Sequence, residues 1–202
     1  MCGIVGYVGR NEAAPVLLEG LARLEYRGYD SAGIALVTEE GDLFVKKRAG
    51  KIANLREALT EDTPPSTAGL GHTRWATHGR PNDLNAHPHV DCTGELTVIH
   101  NGIIENCIEL RAELVAAGHV FSRETDTEAI AHLVEEAYDG DVSAAVRNAL
   151  QRAHGAYALA VIHNGEPDRV VGATMNVPLI VGIGHDEAFK ASDVAAVLAL
   201  TR

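Results

Sequence analysis

Basic residues are scarce in this 202-residue chain: 17 lysines and arginines stand against 28 aspartates and glutamates, a formal charge of −11. Binding to nucleic acid or to an anionic membrane surface needs clustered cations, so neither partner is expected, while acidic steering of a cationic partner stays open. Cysteine is rarer still. Cys2, Cys92 and Cys107 cannot all pair and no C-x-x-C occurs, so neither a disulfide framework nor a cysteine zinc site is implied; a reducing cytoplasm fits. No apolar run approaches the roughly 18 residues of a membrane span. The glycine-interrupted stretch Ile4 to Val8 is also too short for a secretion signal. A P-loop and a G-x-G-x-x-G are both missing, and no cofactor is expected. Repeats and low-complexity tracts are lacking. The only linker-like stretch, Thr63-Pro64-Pro65-Ser66, is too short to separate domains, so residues 2–202 read as one.

What is present starts at Cys2, directly behind Met1. Removal of one methionine would put a thiol and a free α-amine on the same residue. An α-amine has an ordinary pKa of roughly 7.7–8.0, close enough to neutrality to accept the thiol proton directly or through one water. N-terminal nucleophiles use this pairing. A small inert cysteine at the start of a buried strand is the plain alternative.

Hydrophobic periodicity predicts a strand over Ile4 to Val8, then a helix capped by Asn11 with Leu17, Leu18, Leu21 and Leu24 on one face. A hairpin follows, Gly33 to Val37 and Leu43 to Lys47 around Glu40-Gly41-Asp42. After a strand at Ala68 to His72 comes a polar, aperiodic segment from Thr73 to His89, of the kind that serves as a binding loop. Leu96 to His100 returns to strand. Three helices carry the stripes Cys107-Leu110-Leu114, Ala129 to Ala137 and Val142 to Leu150, and strands are expected at Ala156 to Ile162, Arg169 to Gly172 and Leu179 to Ile183. Runs of strands and runs of helices with short turns imply an α+β fold: two largely antiparallel sheets face to face, covered outside by helices.

Cleaving an amide with a thiol requires oxyanion donors and groups that grip the substrate. His100-Asn101-Gly102, at the end of a strand, offers the Asn101 side-chain amide and the Gly102 backbone N–H, or else is a plain turn. Arg74, in Thr73-Arg74-Trp75-Ala76-Thr77-His78-Gly79, has the planar fork that grips a carboxylate; a surface arginine is the alternative. Asp126 can pair with an ammonium, although Thr125 and Glu128 have capping-box spacing that would explain an acid there. His72, His78, His87, His89 and His100 invite a metal reading. An H-x-H pair without a third ligand or an i,i+4 helical partner does not support one, so no metal is assigned.

Cys2-Gly3-Ile4-Val5-Gly6, Glu25-Tyr26-Arg27-Gly28-Tyr29-Asp30-Ser31-Ala32-Gly33, His72 to Gly79, Asn85-Ala86-His87-Pro88-His89, His100-Asn101-Gly102-Ile103-Ile104-Glu105-Asn106 and Glu124-Thr125-Asp126-Thr127-Glu128 occur in that order. Together they closely resemble the glutaminase domains of the glucosamine-6-phosphate synthase family, a branch of the class II glutamine amidotransferases. The resemblance covers essentially the whole chain. It implies an N-terminal-nucleophile αββα sandwich and hydrolysis of L-glutamine through a thioester on Cys2, with Asn101 and Gly102 as the oxyanion hole. It further implies that Arg74 holds the glutamine α-carboxylate with Thr77 and His78 beside it, that Asp126 binds the α-ammonium, that Trp75 gates the ammonia path, and that Arg27 supports the nucleophile. In the family a sugar-isomerase half follows, binding fructose 6-phosphate in a homodimer, and the glutaminase domain extends somewhat beyond the point matching Arg202. Thr174 and Val177 depart from the family pattern before Pro178-Leu179. The rival readings are another amidase with an N-terminal nucleophile and an inactive binding fragment of the same family.

Overall fold

The computed structural model describes residues 2–59, 63–76 and 79–198. Among them the strands form two sheets in which neighbouring strands all run antiparallel. The first sheet has six strands: β1 (Gly3–Gly9), β2 (Ser31–Val37), β3 (Leu43–Ala49), β4 (Ala68–Arg74), β9 (Ile180–Gly184) and β10 (Glu187–Ala191), in the order β3-β2-β4-β1-β10-β9. The second has four, β5 (His89–Val90), β6 (Leu96–Ile104), β7 (Gly155–His163) and β8 (Val171–Met175), in chain order. Helices α1 (Ala13–Arg23) and α2 (Ile52–Ala58) cover the first; α3 (Cys107–Ala116), α4 (Asp126–Ala137) and α5 (Val142–Leu150) cover the second. The expected αββα sandwich is the arrangement found.

Strand alternation builds these layers. On β1, Ile4 faces the other sheet while Val5 and Tyr7 join Leu17, Leu18 and Leu21 of α1. On β7, Ala158, Ala160 and Ile162 point between the sheets; Tyr157, Leu159 and Val161 point to the helices. Successive side chains on a strand take opposite faces, so a strand buried on both sides reads as a continuous apolar run. Each large aliphatic side chain fully buried in these layers contributes about 1.5–3 kcal/mol. Small alanines on β7 let the sheets approach, and Leu70 of β4 and Ile99 of β6 complete the aliphatic part of the gap.

Several elements differ from the sequence reading. Asn11 does not cap α1. Glu12 occupies the cap position without a side-chain bond, Ala13 N–H is taken by the Ser66 carbonyl, and Asn11 instead bonds Tyr7 Oη and Glu187. The short helix α2 and the strand β10 were not anticipated; each is brief, and β10 owes its place to pairing with β1 in register Val5 to Ala191. β8 lies two residues later than expected. The polar segment is not wholly irregular: Thr73 and Arg74 continue β4, and His89 begins β5. The capping box at Thr125 is also overturned. The Thr125 hydroxyl bonds His89 Nε2, while Glu128 accepts from Ser122 and Arg123 backbone N–H groups and from the Arg123 guanidinium. Tertiary partners outcompete the local ones.

Candidate active site

One end of the gap between the sheets opens as a cleft lined by Cys2, Arg74, Trp75, Gly102 and Asp126, with His87, His100, Thr125 and Thr127. Three segments meet there: the start of β1, the end of β4 and the β6 to α4 region. Cys2 Sγ accepts the Trp75 backbone N–H at 3.2 Å. Its carbonyl accepts from Asn101 Nδ2 at 3.0 Å and from Arg27 Nε at 3.1 Å, and Arg27 reaches on to Asp193. Burial pushes the Cys2 thiol up from its ordinary pKa, against the opposing pull of the Trp75 N–H and the Arg74 charge. The sulfur therefore keeps its proton near neutrality and needs a base to lose it.

His100, Asn101 and Gly102 do not end a strand; they lie within β6, which runs to Ile104. Alternation sends Asn101 toward the first sheet and His100 toward α4. Asn101 Oδ1 faces His72 Nε2 at 3.0 Å, and the same nitrogen lies 3.1 Å from the His100 carbonyl. Two acceptors on one nitrogen require that it carry the proton, which fixes the His72 tautomer. With Oδ1 so engaged, the amide nitrogen of Asn101 must face Cys2. Burial lowers the His72 pKa to about 3, so the ring is neutral and a fixed donor. Gly102 has φ +128, and a Cβ there would fall 2.0 Å from the Ala156 carbonyl oxygen on β7; only glycine fits.

Arg74 is buried, and burial lowers its pKa from the ordinary guanidinium value, partly offset by Cys2, Asp126 and Asp30. Its backbone is held by Asp30, whose N–H donates to the Arg74 carbonyl and whose carboxylate accepts from Ala76 N–H at 2.8 Å. Gly28 packs against the same peptide, where a Cβ would sit 2.6 Å from the Arg74 carbonyl carbon. Asp126, the first residue of α4, accepts Ile104 N–H at 2.9 Å through Oδ2 and keeps Oδ1 3.8 Å from His100 Nδ1. Trp75 is half-exposed at the mouth, edge-on to Tyr29 with ring centroids 5.5 Å apart. Thr77 and His78 lie outside the described residues.

A family model described as a glutamine amidotransferase domain matches residues 72–199. The chain belongs to the glutamine amidotransferase family. It is 56% identical over 202 residues to the glutamine–fructose-6-phosphate aminotransferase (isomerizing) of Symbiobacterium thermophilum, covering 100% of this chain and 33% of that protein. A similar relative from Pyrococcus horikoshii is 56% identical over 204 residues, covering 100% and 34%. Among solved structures, the glutamine phosphoribosylpyrophosphate amidotransferase of B. subtilis superposes with a TM-score of 0.84 at 27% identity, over 97% of this chain and 43% of that one. The chain spans about a third of the length of the curated relatives it matches.

Behind the cleft of this amidotransferase domain lies a group of histidines that sequence reasoning noticed only as a metal possibility. His72 stacks on His87 at 4.1 Å, His87 meets His89 edge-on at 4.6 Å, and the His100 backbone N–H donates to His87 Nδ1. Thr127 Oγ1 joins His100 Nδ1 at 3.0 Å. All four rings are buried, and burial lowers all four pKa values. Neutral and fixed in place, they orient Asn101 and the start of α4 rather than carry charge. The strand period could have found His72, since it sits two residues from Leu70 on the same face; nothing local points to His87. Thr174 and Val177, the departures from the family pattern, pair with each other: the Thr174 hydroxyl donates to the Val177 carbonyl, and Val177 packs on the aliphatic layer between the sheets. Among the described residues, no helix is long and apolar enough to cross a membrane.

Proposed function

We propose that residues 2–202 act as the glutaminase domain of a glutamine–fructose-6-phosphate aminotransferase, releasing ammonia from L-glutamine. The observation that carries this reading is the convergence of the Cys2 thiol with Asn101, Gly102, Arg74 and Asp126 in one cleft. Likeness over the whole of this chain to a third of such an aminotransferase supports L-glutamine as the substrate. With Met1 attached the Cys2 nitrogen is an amide; its removal creates the base. The freed amine takes the thiol proton, and the thiolate attacks the side-chain amide carbon of glutamine. The resulting oxyanion accepts from Gly102 N–H and from the Asn101 amide proton not committed to the Cys2 carbonyl. The ammonium of Cys2 returns its proton to the leaving nitrogen as the C–N bond breaks. Ammonia departs, and water then hydrolyses the γ-glutamyl thioester to glutamate and the free thiol.

Arg74 holds the glutamine α-carboxylate in this scheme, Asp126 its α-ammonium, and Thr77 and His78 assist Arg74. Arg27 keeps the Cys2 carbonyl, and so the nucleophile, in place. Trp75 gates the route of ammonia to fructose 6-phosphate, which a following sugar-isomerase portion would bind in a cytoplasmic homodimer. Intact mass spectrometry after incubation with a diazo-ketone analogue of glutamine tests the reading. Loss of Met1 and one adduct on Cys2 are expected. Loss of Met1 without an adduct, while glutamine still binds, would instead favour an inactive binding domain. An adduct that acyl amides lacking an α-amino acid end compete away would favour a different amidase.

A further inference from the structure

Four side chains outside the cleft lining converge on one point at the rim of the α3–α5 layer. Cys92 sits in the turn between β5 and β6, His119 in the link from α3 to α4, and His132 and Glu135 one turn apart on α4. Cys92 Sγ lies 3.6 Å from His119 Nδ1 and 3.5 Å from His132 Nδ1. Glu135 Oε2 lies 3.2 Å and 2.9 Å from the same two nitrogens. The four atoms fall within 4.8 Å of one another. We propose that Cys92, His119, His132 and Glu135 form a tetrahedral zinc site, separate from the glutaminase chemistry.

The spacing fits the ion. Zinc bonds of about 2.3 Å to sulfur and about 2.0–2.1 Å to nitrogen and oxygen, set at tetrahedral angles, separate sulfur from nitrogen by about 3.6 Å and nitrogen from oxygen by about 3.3 Å. The sulfur-to-nitrogen distances are already those. Hydrogen bonding satisfies the cluster poorly by comparison. Each imidazole Nδ1 has at most one proton, yet each faces both the carboxylate and the sulfur, and the same carboxylate oxygen also takes the Cys92 N–H at 3.1 Å. A central cation serves all four atoms at once.

The donor set of one thiolate, two imidazoles and one carboxylate suits zinc and is too soft for magnesium or calcium. Outer support is present as well. The Val120 N–H donates to Cys92 Sγ at 3.4 Å, and Asp91 Oδ1 fixes the turn by accepting from Gly94, Glu95 and Leu96 N–H. Cys92 is exposed while His132 is buried, so an ion has a way in and a fixed floor. Four protein ligands make this a structural site; binding releases the thiol proton to solvent and ties the β5 to β6 turn to α4 and to the segment that leads into Asp126. The sequence hides it because Cys92 is 27 residues from His119 and His119 is 16 from Glu135. Lack of C-x-x-C excludes only paired-thiolate sites.

The test is cobalt titration of the chelator-stripped chain. One Co²⁺ per chain is expected, with the strong visible bands of a tetrahedral ion and a thiolate charge-transfer band, both displaced by Zn²⁺ and both retained in Cys2→Ala. Cys92→Ser should lose the charge-transfer band, and His119→Ala, at a more exposed ligand, should weaken binding by more than about 100-fold. Free Zn²⁺ at a hundredfold excess over Kd should raise Tm by about 5–10 °C, and His119→Ala should abolish that gain. Failure to bind one equivalent, a weak octahedral spectrum, or a charge-transfer band that survives Cys92→Ser would each overturn the site.

Discussion

Two residues along β4, from Leu70 to His72, and two along β6, from Ile99 to Asn101, the layer between the sheets changes from aliphatic to polar on one and the same face. The backbone is continuous across the change: β4 stays paired to β1 and β2, and β6 to β7. The aliphatic end holds the sheets together and has no chemistry. The polar end gives up that apolar contact for buried rings that must be bonded and neutral. In return, Asn101 has one orientation and the Cys2 backbone a fixed seat. A rigid scaffold thus carries its site on the same strands that make its core.

Acid should break the comparison most. The imidazoles of His72, His87, His89 and His100 stay neutral in the fold, while in the unfolded chain they protonate below about pH 6.5. Between there and the His72 value of about 3 the unfolded state binds more protons, so their contribution, full above pH 6.5, drains away as pH falls. His72 by itself accounts for about 2 kcal/mol of loss between pH 7 and pH 5, and the other three act in the same direction. Denaturant unfolding at the two pH values should show it; a flat profile would mean that the rings are charged or exposed.

Cys2→Ala removes the group that the polar end serves. Glutaminase turnover should fall at least about 10⁴-fold with the unfolding midpoint nearly unchanged. Turnover within tenfold of the parent would rule out the thioester route. Leu70→Ala tests the other end: it should cost about 2–5 kcal/mol of stability and leave the kcat of the folded fraction within about twofold. Asn101→Ala is the mirror image, lowering kcat by about 10²–10³-fold. If the Leu70 and Asn101 variants instead shift stability and turnover alike, the two ends are one functional unit and the distinction between them fails.

The layer architecture, most strands and the three stripes of α3, α4 and α5 were legible because each rests on a local period, 2.0 or 3.6 residues, written directly in side-chain polarity. The elements that were missed are short. α2 and β10 lack enough period to announce themselves and exist because a neighbour pairs with or covers them. At the cleft, Cys2, Arg74, Asn101, Gly102 and Asp126 stood out as residue types suited to amide chemistry, and the family resemblance ordered them.

What the sequence determined by itself is therefore periodicity, turn chemistry and the inventory of reactive groups, all properties of residues close along the chain. The tertiary structure alone decided which partner each polar group takes. Thr125 turned to His89 rather than to its own helix, His72 set the Asn101 amide, and Cys92 met His119, His132 and Glu135 across three segments. The physical reason is that a buried polar group must find a partner within about 3 Å, and in a sandwich whose sheets are assembled from distant strands that partner is seldom a sequence neighbour.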